Sequence, residues 1–430
     1  MLGDGELFFS VTDGKGVIRE GNSVFARVSG YGLGEMVGEP HSLVRHRGMP
    51  GGVFRIVWER LGRGRAVGVY VRNSTKQGGE YWVFATICPV GEKYLSVRVV
   101  PRTRLREVAE RVYAQASRAE EVVRRGGGSR RDAAEAGAKV IEEELLGYGY
   151  ASYEAFMVEA AAAEVAARGA GSVRAHARPD ARGAIGEVLG GTEELQGVLG
   201  ELVGRLAVYQ RVCGELTGAS EEVLEVARRL ERAVAAAQEA SEVAVDVPVL
   251  ANVARVMAKP IGEAVLALER LGPELSRLRG DVARLRFWIA LARVHAEMSA
   301  AFAAEVHDGL SPGASLGSVP LLCDAAAAGA LEMAGHVRRV NEGLHGVAQL
   351  AAAAEGMMED FRRWLGQWRN LVLRHRAAPA IGAQLAVIDG ELAASWDWMR
   401  TLRWEGYEAA VVPFDASLMT APLERIARVL

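Results

Sequence analysis

The segment "LVRHRGMPGGVF", Leu43–Phe54, places nitrogen-rich side chains beside residues that shape the backbone. Arg45 offers a rigid fork of N–H donors that suits phosphate oxygens, and His46 can donate or accept a hydrogen bond near neutral pH. The glycines that follow let the backbone approach a bulky group closely, and Pro50 stiffens that approach. The segment therefore favours contact with a bound ligand, and the alternative is a solvated loop.

Planar and amide side chains occur on both sides of this segment. Trp58 and Trp82 offer flat apolar faces to a ring system, and Asn22 and Asn73 offer amides that can donate or accept. The alternative is that both tryptophans are ordinary core aromatics and that Asn22 caps a helix. The residue types alone leave both interpretations open.

Residues 6–100 carry the pattern of a mixed domain that would position these groups. Two strands are predicted around the turn "DGKG", followed by two segments with helical apolar spacing that end at glycines. Three further strands are predicted after the second helix. The predicted strands are "ELFFSVTD", "GVIREGN", "AVGVYVRNS", "GEYWVFATICPV" and "KYLSVRVV". The pattern indicates an α+β fold, an antiparallel five-stranded sheet with short helices on one face.

From Arg102 onward, strand patterns nearly vanish, and alanine, leucine, glutamate and arginine dominate. A strongly amphipathic helix comes first, and further helices follow with Gly- and Pro-rich breaks between them, as in a helical bundle or coiled coil. These helices are predicted over 132–168, 183–215, 219–245, 261–309, 321–374 and 379–404. The predicted parts are the α+β domain 1–101, a connecting helix 102–126, a helical region 132–310 and a C-terminal helical region 311–430.

Composition restricts the class of function. The 430 residues include 51 basic and 54 acidic ones, with a formal net charge of −3, which argues against a general nucleic-acid binder. Cys88, Cys213 and Cys323 lack disulfide or zinc spacing, as in a reducing cytoplasm. Neither a signal peptide nor an uncharged apolar run of about 18 residues is found, so no membrane span is predicted. No catalytic or metal-ligating motif appears, and we expect a cytoplasmic protein that is not an enzyme.

Short motifs occur between residues 22 and 83 in an order typical of one family. They are Asn22 before an apolar helix, "SGY" at 29–31, "GEPH" at 38–41, "RHRGMP" at 45–50, Trp58, and "YWV" at 81–83. In this order they make residues 6–100 resemble PAS sensor domains, and more narrowly the PAS domains of aerotaxis receptors, which hold FAD. Arg47 and Gly48 depart from the family, because Pro-Asp usually stands at these two positions.

This resemblance implies a function and a set of ligand contacts. The implied function is signal transduction by a homodimer, in which bound FAD reports redox, oxygen or energy state to a helical output region. A protein signalling partner would bind that helical region. The implied FAD contacts are Asn22, Arg45, His46, Met49, Trp58, Asn73 and Trp82.

Two alternatives to a flavin sensor stay open. Many PAS domains hold no ligand and serve for pairing, which would make the chain an interaction or scaffold protein. A haem-binding gas sensor would use His41 or His46 as the axial ligand. The helical half is only vaguely similar to a chemoreceptor signalling domain and lacks its hairpin tip, so the resemblance does not identify an output partner.

Overall fold

The N-terminal part of the chain is one antiparallel sheet with short helices, as predicted. The structure is a computed structural model and describes residues 3, 5–169, 175–243, 247–402 and 413–430. The strands follow the order β2-β1-β5-β4-β3, so the first and last strands of the domain are neighbours at its centre. Their bounds are β1 Phe8–Asp13, β2 Ile18–Gly21, β3 Val67–Ser74, β4 Glu80–Val90 and β5 Lys93–Val99.

Strand pairing decides which side chains share a face of the sheet. Ser10 is paired with Ser96, and Ala85 is paired with both Arg98 and Val69. Because side chains alternate along a strand and paired residues point to the same side, these five residues lie on one face. We call it the inner face, and the opposite side is the outer face.

The segment between β2 and β3 lies over the inner face. It contains α1 Ser23–Ser29, α2 Leu33–Met36, a 3-10 turn His41–Val44, and α3 Gly51–Gly62. Phe25 of α1 stacks on Phe8 of β1 with ring centroids 4.1 Å apart, and both rings are fully buried. Gly30 ends α1 with a φ of 74°, a left-handed conformation that glycine adopts without a steric penalty.

Helices of the C-terminal half cover the outer face. The Phe302 ring meets Phe9 of β1 edge to face at 5.2 Å, and His295 Nε2 lies 3.8 Å from Cys88 Sγ of β4. Burial raises the pKa of the Cys88 thiol to about 12 and lowers the pKa of His295 to about 4. Both groups are therefore neutral at pH 7, as their apolar surroundings require.

The rest of the described chain is helical. The shorter helices that follow the sheet are α4 Leu105–Arg125, α5 Arg130–Gly147 and α6 Tyr153–Arg168. The long helices are α7 Gly183–Val243, α8 Pro248–His307 and α9 Val319–Arg374, with a 3-10 segment Gly313–Ser318 before α9. Helices α10 Ala378–Leu402 and α11 Ser417–Val429 complete the described elements.

Two predicted helix breaks are wrong. The break between 215 and 219 does not occur, since α7 continues through Gly218, and α8 continues through both Pro260 and Pro273. An interior glycine costs a helix about 1 kcal/mol and a proline about 3 kcal/mol. Helices this long recover such costs through packing along an apolar face, with Leu216 and Ile261 among the buried residues of these segments.

Packing divides the chain differently from the chain-order division at 310. One compact unit contains Met1–Gly204, Ala283–Gly335 and Phe414–Leu430, and so includes the sheet together with parts of α7, α8 and α9. The second unit contains Arg205–Val282 and His336–Pro413. The α+β domain is therefore packed into a larger helical unit.

One helical stretch bears on the prediction that the chain has no membrane span. Gly313–Arg374 is long and apolar enough to cross a bilayer by length and composition, and 39% of its most apolar window is buried within the protein. Core helices of soluble proteins meet the same test. The stretch is weak evidence for a membrane span.

Candidate ligand-binding site

A cavity of about 300 Å³ lies between the inner face of the sheet and the helices that cover it. Strands β1, β3, β4 and β5 form its floor, and α3 forms one wall through Phe54, Val57, Trp58 and Leu61. Ligand pockets begin at about this volume. The combination of apolar walls and a few polar groups on the floor is typical of a site for a flat, polar ring.

Arg98 of β5 is the main charged group of the floor. The residue is 5% exposed, and its guanidinium donates to Ser10 Oγ at 2.8 Å and to His41 Nε2 at 2.9 Å. No carboxylate among the described residues lies within ion-pair distance of it, and no described lining residue is acidic. Burial lowers the pKa of Arg98 to about 10, so the floor holds a positive charge at pH 7 without a carboxylate beside it.

His41 lies against this charge and is neutral. Burial, and then the Arg98 charge, hold the pKa of His41 well below its usual value. Its ring stacks on Phe25 with centroids 5.6 Å apart. Because Arg98 donates to Nε2, the neutral His41 ring uses that nitrogen as an acceptor and carries its proton on Nδ1.

Asn73 at the end of β3 brings a donor without a partner into the cavity. Its side chain is 1% exposed and lines the cavity, yet Nδ2 has no hydrogen bond of acceptable geometry with a described residue. Tyr81, which is paired with Asn73 across the ladder, has a buried hydroxyl in the same condition. Unpartnered buried donors are costly, and a ligand with acceptor atoms would satisfy the amide.

The mouth of the cavity is basic and aromatic. Lys15 and Arg45 line it and are exposed, and the Arg45 guanidinium lies 4.6 Å from the Phe54 ring centroid. Trp58 is 43% exposed and meets Tyr94 edge to face at 5.6 Å. The mouth can therefore hold an anionic group next to an aromatic surface.

Three of the seven predicted contacts line this cavity, namely Arg45, Trp58 and Asn73. Asn22 lies elsewhere, because its amide oxygen accepts from Phe25 N at 3.0 Å and Phe9 N at 3.1 Å. The helix-capping interpretation of Asn22 is thus the one that its contacts support.

The other three predicted contacts also lie outside the cavity lining. His46 Nε2 pairs with Glu80 Oε1 at 2.7 Å. Buried Met49 accepts from Arg72 N at 3.4 Å through its sulfur. Trp82 lies opposite Arg72 in the β3–β4 ladder, so it points to the outer face.

Sequence reasoning named His41 only as a possible haem ligand and missed four other lining residues, namely Arg98, Ser10, Ser96 and Tyr94. A signal for them existed in the alternation of "KYLSVRVV", in which Tyr94, Ser96 and Arg98 share one face. Identifying that face as the inner one requires the pairing of β5 between β1 and β4, which the sequence did not provide.

The glycines after Met49 do not serve the cavity. Gly51 and Gly52 begin α3 and are absent from the described lining residues. A Cβ atom on Gly52 would overlap the backbone of Gly137 and Ala138 in α5. The expectation that these glycines admit a ligand is therefore wrong, since they admit a neighbouring helix.

Comparison with known proteins identifies the N-terminal domain. Over 102 residues, this chain is 37% identical to the aerotaxis receptor of Escherichia coli. These residues make up 23% of this chain and 20% of the receptor. The match thus spans one fifth of that relative's length. No family model matches the chain.

Solved structures with similar folds are PAS or light-oxygen-voltage domains. A light-oxygen-voltage domain studied with a flavin analogue is 21% identical, with a TM-score of 0.23, over 25% of this chain and 85% of that chain. The light-oxygen-voltage domain of a blue-light activated histidine kinase from Erythrobacter litoralis is 14% identical, with a TM-score of 0.21, over 22% of this chain and 94% of that chain. A PAS domain from Colwellia psychrerythraea is 20% identical, with a TM-score of 0.19, over 21% of this chain and 83% of that chain.

The resemblance to aerotaxis-receptor PAS domains is confirmed for the N-terminal domain. The matched 102 residues correspond in extent to the sheet and its helices, and the observed α+β architecture is the predicted one. The helical region that follows has no assigned relative.

Proposed function

We propose that the N-terminal PAS domain binds FAD and that the chain is a cytoplasmic, non-enzymatic sensor that reports the state of this ligand to its helical region. The observation that carries the proposal is a cavity that contains the Arg98 charge, which has no carboxylate partner among the described residues, and Asn73 Nδ2, which has no well-aligned acceptor among them. The similarity of this domain to an aerotaxis receptor supports a sensory role.

The residues present fit a flavin. Asn73, Arg98 and His41 would hold the polar edge of the ring on the floor, and the apolar residues of α3 would enclose its faces. Lys15 and Arg45 at the mouth would hold the phosphates. A bound flavin supplies reversible redox chemistry, and the chain's own part is to exclude water and to present fixed donors to the ring.

The haem alternative has less support from the same geometry. His41 Nε2 already accepts from Arg98 at 2.9 Å, and a buried cation beside the ring opposes a second cation there. His46 is paired with Glu80 and does not line the cavity. Neither histidine therefore has an Nε2 atom available to an iron in the cavity.

The exit from the sheet provides an output route. Glu164 of α6 is fully buried and accepts from Arg102 N at 2.6 Å, Thr103 Oγ1 at 2.6 Å and the Tyr70 hydroxyl at 2.6 Å. Tyr70 lies on the outer face of β3, and Arg102 and Thr103 join β5 to α4. A shift of the sheet therefore reaches α4 and α6 through one carboxylate.

The test is the flavin content of the purified chain. We expect a yellow protein that releases FAD, and not FMN, on denaturation, and Arg45→Ala should lower its occupancy with the secondary structure unchanged. Arg47→Ala is the matched control, because Arg47 is an exposed neighbour that does not line the cavity. A colourless protein that also fails to bind added FAD would refute the proposal, and equal occupancy in the two variants would remove Arg45 from the site.

A further inference from the structure

Two opposite faces of helix α3 make contacts with the rest of the protein. One face forms the cavity wall through Phe54, Val57, Trp58 and Leu61. The other face and the N-terminal end pack against the hairpin of α4 and α5, where Arg55 pairs with Glu135 at 3.2 Å. The hairpin and the cavity therefore contact the same helix from opposite sides.

The N-terminal end of α3 is held by a carboxylate from the hairpin. Pro50, at the cap position, provides no side-chain hydrogen bond. Instead, Glu120 of α4 accepts from Gly51 N at 3.0 Å and from Gly52 N at 2.8 Å, although it lies 68 residues or more away in the chain. Glu120 is buried, and a carboxylate at a helix N-terminus satisfies free N–H groups and interacts favourably with the helix dipole.

Three glycines make this contact possible. A side chain on Gly52 would overlap the α5 backbone, and one on Gly51 would come within 3.2 Å of Ala134 Cβ. A side chain on Gly137 would occupy the space of the Glu120 carboxylate. The carboxylate, the paired N–H groups and the close helix approach thus depend on one another.

We propose that the α4–α5 hairpin is a clamp on α3, and that Glu120 is the positioning residue that sets the cavity wall and thereby the retention of the ligand. The ligand half of this inference rests on the proposed FAD site. The coupling is reciprocal, because any ligand that fixes α3 also stabilises the docked hairpin.

The clamp is tested in flavin-free protein by hydrogen exchange. Peptides that cover 47–56 and 130–138 should exchange about tenfold faster in Glu120→Gln than in the parent, because a charged acceptor is replaced by a neutral one. Glu121→Gln is the matched control, since Glu121 is exposed and pairs only with Arg125 among the described residues. Exchange that is equal in the parent and Glu120→Gln would overturn the clamp.

A second pair of variants tests the close approach independently. Gly52→Ala should open the hairpin and speed exchange over 130–138, although alanine normally favours a helix. Gly62→Ala, at the other end of α3, has open space around its Cβ within the described residues and should leave exchange unchanged. Far-ultraviolet circular dichroism checks that both variants are folded, and slower or equal exchange in Gly52→Ala would also overturn the clamp.

The ligand half is tested by FAD titration. Glu120→Gln should weaken FAD binding by about fivefold or more, and FAD should slow exchange over 130–138 in the parent but less in the variant. Equal FAD affinity in both proteins would overturn the ligand half. A parent that binds no FAD would refute the proposed function as well as the ligand half, whereas the flavin-free exchange experiment decides the clamp in either case.

Discussion

Arg98→Met should weaken FAD binding strongly and change the stability of the ligand-free protein by at most about 3 kcal/mol. The guanidinium is buried at the cavity floor without a carboxylate partner among the described residues. Burial lowers its pKa to about 10, which corresponds to a cost of about 3 kcal/mol for holding the charge in the folded state. Methionine removes that charge and keeps much of the side-chain volume.

Two opposing effects set the stability of the ligand-free variant. Removing the uncompensated charge recovers about 3 kcal/mol. His41 Nε2 and Ser10 Oγ lose their donor, at a cost of about 1–3 kcal/mol for each group. The two effects partly offset each other, so the net change in the free energy of unfolding in urea should lie between a gain of about 1 kcal/mol and a loss of about 3 kcal/mol.

FAD affinity should fall whichever of the two effects on stability is larger. A hydrogen bond to a charged group contributes about 1.5–3 kcal/mol, so the dissociation constant for FAD should rise roughly 10- to 150-fold. Arg47→Met is the matched control, because it removes the same charge from an exposed residue that does not line the cavity. Equal affinity in Arg98→Met and the parent, measured by fluorescence titration, would show that the ligand does not use the buried charge.

Two further changes should alter stability in predictable directions. His295 has a folded pKa of about 4 against a usual 6.5, so the native state binds fewer protons than the unfolded chain and its stability falls as the pH drops from 6.5 to 4, by up to about 3 kcal/mol. His295→Leu should remove this part of the pH dependence, as measured by urea unfolding at pH 7, 6, 5 and 4. The control His345→Leu, at an exposed site, should keep it. An unchanged pH profile in His295→Leu would contradict the low pKa of His295. Glu164→Gln should lower the free energy of unfolding by about 2–4 kcal/mol, because a buried carboxylate that accepts from several donors is replaced by an amide. The control Glu159→Gln, at an exposed site, should have little effect. Equal losses of unfolding free energy in both variants would contradict this account.

Local patterns predicted the sheet but not the site as a whole. Each of the five strands appears as an apolar or alternating run bounded by turn residues, and these signals are confined to fewer than a dozen residues. Arg45 and Trp58 were predicted from motifs of the resembled family and Asn73 from its amide, and all three line the cavity. His46 and Trp82 belong to the same motifs, but their strand and loop geometry directs them to Glu80 and to the outer face.

The functions of glycines and buried carboxylates were beyond sequence reasoning for a physical reason. A glycine indicates close approach or unusual backbone geometry, but not what approaches. The partner of Gly51 and Gly52 is Glu120, which lies in a helix that looks like any amphipathic segment with surface glutamates. Helix periodicity gives the buried face of α4 but not the element that covers it.

Helix α4 connects the floor of the cavity with the wall that α3 forms. Arg102 and Thr103, just before its first turn, donate to Glu164, which also accepts from Tyr70 on the back of the cavity floor. Near its other end it carries Glu120, which holds α3 and so the opposite wall. The two attachments are separated by 17 residues of nearly continuous helix, roughly 25 Å at 1.5 Å per residue. A helix of that length is stiff, so a change in the distance between floor and wall cannot be absorbed within it. Under the proposed function, such a change would tilt α4 or release one of the two carboxylates, and either event would reach the helices that follow the sheet.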